Sequence, residues 1–580
     1  MPIQTRPRRS ATAATLTVLA LAAAAPMPAL AASDDMADVV FKNGRIYTVD
    51  ANRSVRQALA ITGNTITAVG RDAEIEAFVG PDTQVIDLGG KFVMPGMIDT
   101  HSHPIFGAVN ASKCSLADVP ATLAAIGPVI RQCLADRPDT GDGWLEVVQL
   151  YNYGFDATAT DFDAIEATRP IAVVGNDGHT LWANTRAMEV AGITAATADP
   201  PGGKIVRDAA GNPTGAFADT AMALIQDNIP TPSIAGAAAM TEAALAGMMA
   251  NGLTSVTDAY VTRREAPVWQ FLQSTGRLKM RVRAAIYLED LEDDGDAKIG
   301  MIAAMAKAGS TDADFLRMDS VKIFADGVME APTQTAALLA PYLDAAGRPT
   351  GNSGELYFDQ ATMDSIVTKL DAAGLTVHVH AIGDRAVRAS LDAFEAAFDA
   401  NGATDNRHQI SHLQLVDPAD FHRFAELGVI ANFQLEWAKR DASNVGPIEP
   451  YLGTERYRWL YPAGSLKAAG AMIAGGSDWD VSPYDPFRAM EHGITRVERG
   501  SGEPPLGTGE GLGIGDVIDA YTINAAFAAR QEKTTGSLEV GKRADLVVLD
   551  RDITAIDPAT LDDTEVLETW IDGKLVYERK

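Results

Sequence analysis

What most constrains this chain is a rhythm. Between residues 94 and 478, apolar segments of strand length alternate with longer stretches of helical character. The strand-like segments are 94–101, 253–258, 281–288, 320–325, 375–380, 407–412, 428–434 and 471–478. Helical stretches such as 233–249 and 385–399 fall between them. Strands joined by helical crossovers pair in parallel. Eight such units predict a (β/α)8 barrel, an α/β fold whose reactive groups sit at the C-terminal ends of the strands.

Two features depart from a bare barrel. Residues 38–50, 57–71 and 83–93 alternate apolar and polar positions around Asn-Gly and Gly-Asn turns, and residues 536–549 and 566–578 share that character. These read as short antiparallel strands from both ends of the chain that pair into one small composite β-sandwich. About 150 residues also separate His103 from the second strand, far more than a βα loop needs. The expected layout is therefore a β-sandwich piece at 32–93, the first barrel strand at 94–104, an inserted cap subdomain at 105–250, the rest of the barrel at 251–530, and the second sandwich piece at 531–580.

Residues 1–31 stand apart. Arg6, Arg8 and Arg9 precede an apolar run from Ala11 to Ala25, and Ala29 and Ala31 form an A-x-A site, which predicts a signal peptide and a periplasmic or secreted protein. The run is shorter than the ~20 residues of a spanning helix, so no membrane association is expected of the mature form. A net charge of -29, spread along the chain, argues against nucleic acid and anionic membrane as partners and accords with high solubility; the expected partner is a small-molecule substrate. Homo-oligomerisation is left open. Cys114 and Cys133 are the only cysteines; one disulfide and two buried thiols are both compatible with the sequence.

The candidate chemistry lies at the strand ends. In MPGMIDTHSHP (94–104), His101 and His103 stand two residues apart, so in an extended strand they share a face and can grip one metal ion. VHVHAIGD places His380 at a strand end with His378 one layer deeper, and RHQISH does the same with His412 and His408. GGSDWD ends the eighth strand with Asp478, a candidate ligand and general base. Lys322, inside the apolar strand SVKIFADG, admits two readings: a buried ion pair with Asp326, or a neutral amine that adds carbon dioxide and bridges two metals as a carbamate. Five of the nine histidines fall within these sites at strands one, five and six, the deeper His408 excluded, and imidazole-rich ligation suits Zn2+ or another divalent transition ion. In the insert, NDGHTLWANTR offers His179, Trp182 and Asn184 as substrate contacts; the alternative is a capped helix start with Trp182 in the insert's core. Trp144, Tyr151, Tyr153 and Phe155 add aromatic character to the same region.

In order along the chain, PGMIDTHSHP, SVKIFADG, HAIGDRAV, RHQISH, GSDWDVSP, AYTINAAFAAR and the GSLEVGKRADLVVLDRD tail resemble the family 3 branch of the amidohydrolase superfamily, which includes N-substituted formamide deformylases. The insert's DGHTLWANTRAM and GNPTGAF fit that branch too. The resemblance implies a distorted TIM barrel with a composite sandwich and one or two divalent metals, commonly zinc. His101 and His103 would hold the first metal, His380 and His412 the second, with carboxylated Lys322 between them. Asp478 would be ligand and general base, and His179 a substrate contact. Two stretches depart from the branch: QLEWAKRD after the seventh strand, where Gln-Pro and a histidine are usual, and DVSPYD at 480–485. The expected activity is metal-dependent hydrolysis of a C–N bond in an amide-like small molecule. Lactone or ester hydrolysis on the same site, or a non-catalytic regulatory role on this scaffold, are the alternatives.

Overall fold

The computed structural model describes residues 36–580, except 118, 138–142, 153–154, 177, 179, 201–202, 289–294, 310–314 and 332. The expected signal peptide, His179 and Tyr153 lie outside the described residues.

Eight parallel strands form one sheet in strict chain order: β1 (Met97–Ser102), β2 (Leu253–Val261), β3 (Arg281–Tyr287), β4 (Leu316–Phe324), β5 (Thr376–Ala381), β6 (Gln409–His412), β7 (Ile430–Phe433) and β8 (Met472–Gly475). Each matches one of the segments read from the sequence. The first and last strands meet. Thr100 Oγ1 donates to Gly475 O at 2.7 Å, and Asp478 N donates to His101 O at 2.7 Å, which closes the seam. β5 shows why these strands lack polar alternation: all six residues are buried, packed by helices outside and by the barrel's filling inside.

Helices separate the strands and cover the sheet. The one at Asp384–Asn401 buries Val387, Leu391 and Phe394, spaced by four and three, which places them on one stripe against the barrel. Asp359 starts the helix at Gln360–Ala372 by accepting a hydrogen bond from Thr362 N.

The ends of the chain pair as one sandwich. Phe92–Pro95 runs antiparallel to Leu546–Leu549, with Val93 opposite Val548, inside a six-stranded sheet that also holds Arg45–Tyr47, Val55–Arg56, Val566–Ile571 and Lys574–Glu578. A four-stranded sheet packs on it through Phe41, Leu59 and Ile61. Phe41 meets Trp570 edge-on at 5.2 Å, a geometry worth about 0.5–1.5 kcal/mol beyond its buried area.

After β1, the chain leaves the barrel for a separate six-stranded sheet, in the order 203–207, 213–219, 180–183, 171–175, 145–150 and 114–115. Cys114 and Cys133 form a disulfide that ties this sheet's edge to the helix at Leu123–Asp136. The chain returns through the helix at Ile234–Ala250, capped by Ser233, directly into β2.

Candidate metal centre

The ends of β1, β4, β5, β6 and β8 bring their polar side chains together at the barrel mouth. His101 and His103 both direct Nε2 at Asp478 Oδ1, at 3.1 and 2.9 Å. His412 joins them: ligand atoms of His101, His412 and Asp478 lie within 4.8 Å of one another, and all three residues are buried. Lys322 Nζ is 3.3 Å from His101 Nε2. The His380 ring lies 4.4 Å from that of His412, and its Nε2 is 3.1 Å from the carbonyl of Gly327.

Local backbone features aim these groups. His412, the last residue of β6, and Asp478, just beyond β8, have positive φ of 77° and 57°, a strained state for residues with a Cβ and one that concentrates at functional sites. Gly476 is required by proximity, because a Cβ there would fall 2.7 Å from the backbone nitrogen and Cβ of His101. Asp99 fastens the two ends of the sheet: Oδ1 accepts from His101 N and Ser477 N at 3.0 Å each, and Oδ2 accepts from Ser477 Oγ.

Burial governs the electrostatics. It pushes the His101 imidazole down to about 3, with the charge of Lys322 acting the same way, so the ring is neutral and keeps a lone pair at physiological pH. Burial also opposes ionisation of Asp478, but the facing His101 and His103 hold its carboxyl well below the usual range. The Lys322 amine is pushed down to about 7 by burial, partly offset by Asp478. No carboxylate pairs with that amine among the described residues. Asp326, the ion-pair partner considered for it, instead accepts backbone N–H bonds from Ala337, Ile382 and Gly383, each at 2.9 Å. Neutral imidazoles, an ionised carboxylate and a near-neutral amine suit a divalent transition metal.

The deeper histidines have other partners. His408 stacks on Phe394 and bonds Asp371 at 3.0 Å near the other end of β6. His378 is fully buried beneath His101.

Two expected substrate contacts are corrected. Trp182 packs on Phe155 at 5.2 Å within the insert's own core, among Cys114, Ile126 and Leu145. Asn184 is completely buried: its Oδ1 accepts from Ile171 N and Ala187 N, and its Nδ2 donates to the carbonyls of Glu166 and Arg169. It caps the helix at Thr185–Val190. All of its hydrogen-bonding capacity serves the insert.

Sequence reasoning passed over an aromatic wall. Tyr260, Tyr287 and Phe324, at the ends of β2, β3 and β4, form a chain of rings 4.8 and 5.6 Å apart that runs from His103 to His380. The signal was there: three successive strands each carry an aromatic residue at their last or next-to-last position. Trp437 stacks on His412 at 5.6 Å and donates to Ser482 Oγ at 3.1 Å. It belongs to the divergent QLEWAKRD stretch, whose charges turn inward: Glu436 binds Lys439 and His492 at 2.7 Å and Arg488 at 3.0 Å. The other divergent stretch, 480–485, joins Trp479, Gln149, Tyr151 and Asn176 around a cavity of about 590 Å³.

A buried imidazole–carboxylate cluster at the C-terminal mouth of a (β/α)8 barrel, beside a composite sandwich, defines the class of metal-dependent hydrolases. The chain belongs to the amidohydrolase family, whose model matches residues 84–577. It is 27% identical to the N-substituted formamide deformylase of Arthrobacter pascens, over 94% of this chain and 99% of that protein. It is 29% identical to Protein LONG AFTER FAR-RED 3 of Arabidopsis thaliana, over 93% and 92%. The fold is also similar to that of an uncharacterized metal-dependent hydrolase from Pyrococcus horikoshii, with a TM-score of 0.72 and 22% identity over 90% of this chain and 99% of that one.

Proposed function

We propose that this protein is an exported zinc hydrolase that cleaves the C–N bond of a small amide. The observation that carries the reading is the grouping of His101, His412 and Asp478 within 4.8 Å in the buried barrel mouth, with Lys322 beside it. His101, His103, His380, His412 and Asp478 would hold the metal, and Lys322 would join them as a carbamate. A neutral Lys322 amine forms that group by adding its nitrogen to carbon dioxide and losing one proton. When bound, the metal supplies Lewis acidity toward the scissile carbonyl and brings the pKa of a water toward ~7. Asp478 is placed to accept the proton of the attacking water at Oδ1 and to return it to the nitrogen of the departing amine, so the carboxylate ends each cycle as it began.

The similarity to a formamide deformylase favours an amide over a lactone or ester, and the Tyr260–Tyr287–Phe324 wall suits a planar or apolar substituent. The Cys114–Cys133 disulfide accords with export. The test is a panel of N-formyl, N-acyl and lactone compounds offered to the zinc-loaded and the metal-stripped protein. Amide turnover that disappears on stripping and returns with zinc is expected. Equal turnover without metal, or turnover of lactones alone, would sink the proposal.

A further inference from the structure

The two nitrogens of His101 have different surroundings. Nε2 faces the cluster, 3.1 Å from Asp478 Oδ1 and 3.3 Å from Lys322 Nζ. Nδ1 faces the barrel interior, 2.9 Å from His378 Nε2 and 2.9 Å from Ser411 Oγ. His378 Nε2 and Ser411 Oγ also bond each other, which closes a triangle of three hydrogen-bonding atoms. His101 is 1% exposed, and His378 and Ser411 are wholly buried. A neutral imidazole carries one N–H and one lone pair, and the partner of one nitrogen decides the role of the other.

We propose that His378 and Ser411 are positioning residues that hold His101 in the tautomer protonated on Nδ1, leaving the Nε2 lone pair for the metal. The inference rests on the metal reading above. The protons balance with one per group. His101 Nδ1–H donates to Ser411 Oγ, the Ser411 hydroxyl donates to His378 Nε2, and His378 keeps its own proton on Nδ1. Register sets these residues beside the ligands: His378 lies level with Lys322 on β4 and Gln409 on β6, while Ser411 lies level with His380. The arrangement carries a cost, because among the described residues His378 Nδ1 is buried without a hydrogen-bond partner. An apolar side chain would fill this layer without that cost, so a purely structural role does not explain an imidazole here.

The test measures zinc affinity by competition with a chromophoric chelator, on metal-stripped wild type, His378→Phe, His378→Gln and Ser411→Ala, with circular dichroism and thermal melting as checks of folding. His378→Phe should weaken zinc binding 10- to 100-fold, in the range seen when a ligand histidine loses its partner. His378→Gln should recover most of the loss, because its amide oxygen can accept a hydrogen bond near the position of Nε2. Ser411→Ala should weaken binding about 10-fold. A purely structural role predicts the reverse, lost stability with unchanged affinity. Folded His378→Phe and Ser411→Ala proteins that bind zinc as tightly as wild type would overturn the proposal. If His378→Phe does not fold, Ser411→Ala and His378→Gln decide by the same criterion. A wild type that takes up no zinc would instead remove the metal reading, and this inference with it.

Discussion

The mouth and the base of the barrel both bury charge, and they treat it in opposite ways. At the base, every nitrogen of the buried Arg283 guanidinium is engaged: Nε donates to Asp319 at 2.8 Å, one terminal nitrogen to Thr376 Oγ1 at 2.6 Å, and the other to the carbonyl of Ala528. Arg407 is matched there with Glu532 at 2.7 Å. At the mouth, among the described residues, Lys322 has no carboxylate partner, and the Nδ1 atoms of His103 and His412 are buried without a hydrogen-bond partner. Charge at the base is neutralised for stability, whereas the mouth holds donor atoms and a movable proton in reserve for a ligand.

That contrast predicts which substitutions damage activity and which damage stability. The largest effect is expected for Asp478→Asn, which should lower turnover by roughly 10²–10⁴-fold, the usual worth of a general base, while the unfolding midpoint in urea stays near that of wild type. Undiminished turnover would remove Asp478 as the base. Arg283→Met should do the converse. Removing one partner of a buried pair costs about 3–5 kcal/mol, read by urea unfolding, with turnover per folded zinc-loaded molecule unchanged.

Opposite pH dependences follow in the metal-free protein. At the base, burial works against the Asp319 carboxylate, but Arg283 and Arg317 hold it below the usual range. Its stabilisation is present above the ordinary value of 3.8 and is lost as pH falls below it, so Asp319→Asn should flatten the acid limb of stability against pH. At the mouth, burial raises Asp258 to about 7, despite His103 and the indole N–H of Trp269. Between 3.8 and about 7 the fold holds a proton that the unfolded chain has released, so stability falls as pH rises. Asp258→Asn should lessen that fall in thermal melts taken across this range; an unchanged slope would break the contrast. The smallest effect is expected for Tyr287→Ala, which should raise KM for aromatic amides about 10-fold, or about 1.4 kcal/mol, with little change in kcat.

Much of this was legible beforehand because it is local. Apolar runs of strand length identified each barrel strand, and the alternation of side chains along a strand put His101 with His103, and His378 with His380, on common faces. The insertion showed as an oversized gap after His103. Less legible were contacts between strands. Whether Lys322 meets Asp326 or His101 depends on how β4 is staggered against β1. Trp182 and Asn184 sat in a polar-aromatic cluster that resembles a binding site, yet the insert's own sheet claims both. The aromatic wall was missed because each ring belongs to a different strand and only their adjacency makes a surface.

By itself, then, the sequence determined the number of barrel strands, the chemical kinds of group at their ends, and the attachment of a sandwich and an insert. These follow from side-chain periodicity and turn chemistry, which act over a few residues. Only the tertiary structure decided that His101 and Asp478 stand 3.1 Å apart and that His378 and Ser411 occupy the far side of the same ring. Closure of the sheet and the stagger of its strands set those distances, and both are properties of the whole barrel that no single segment encodes.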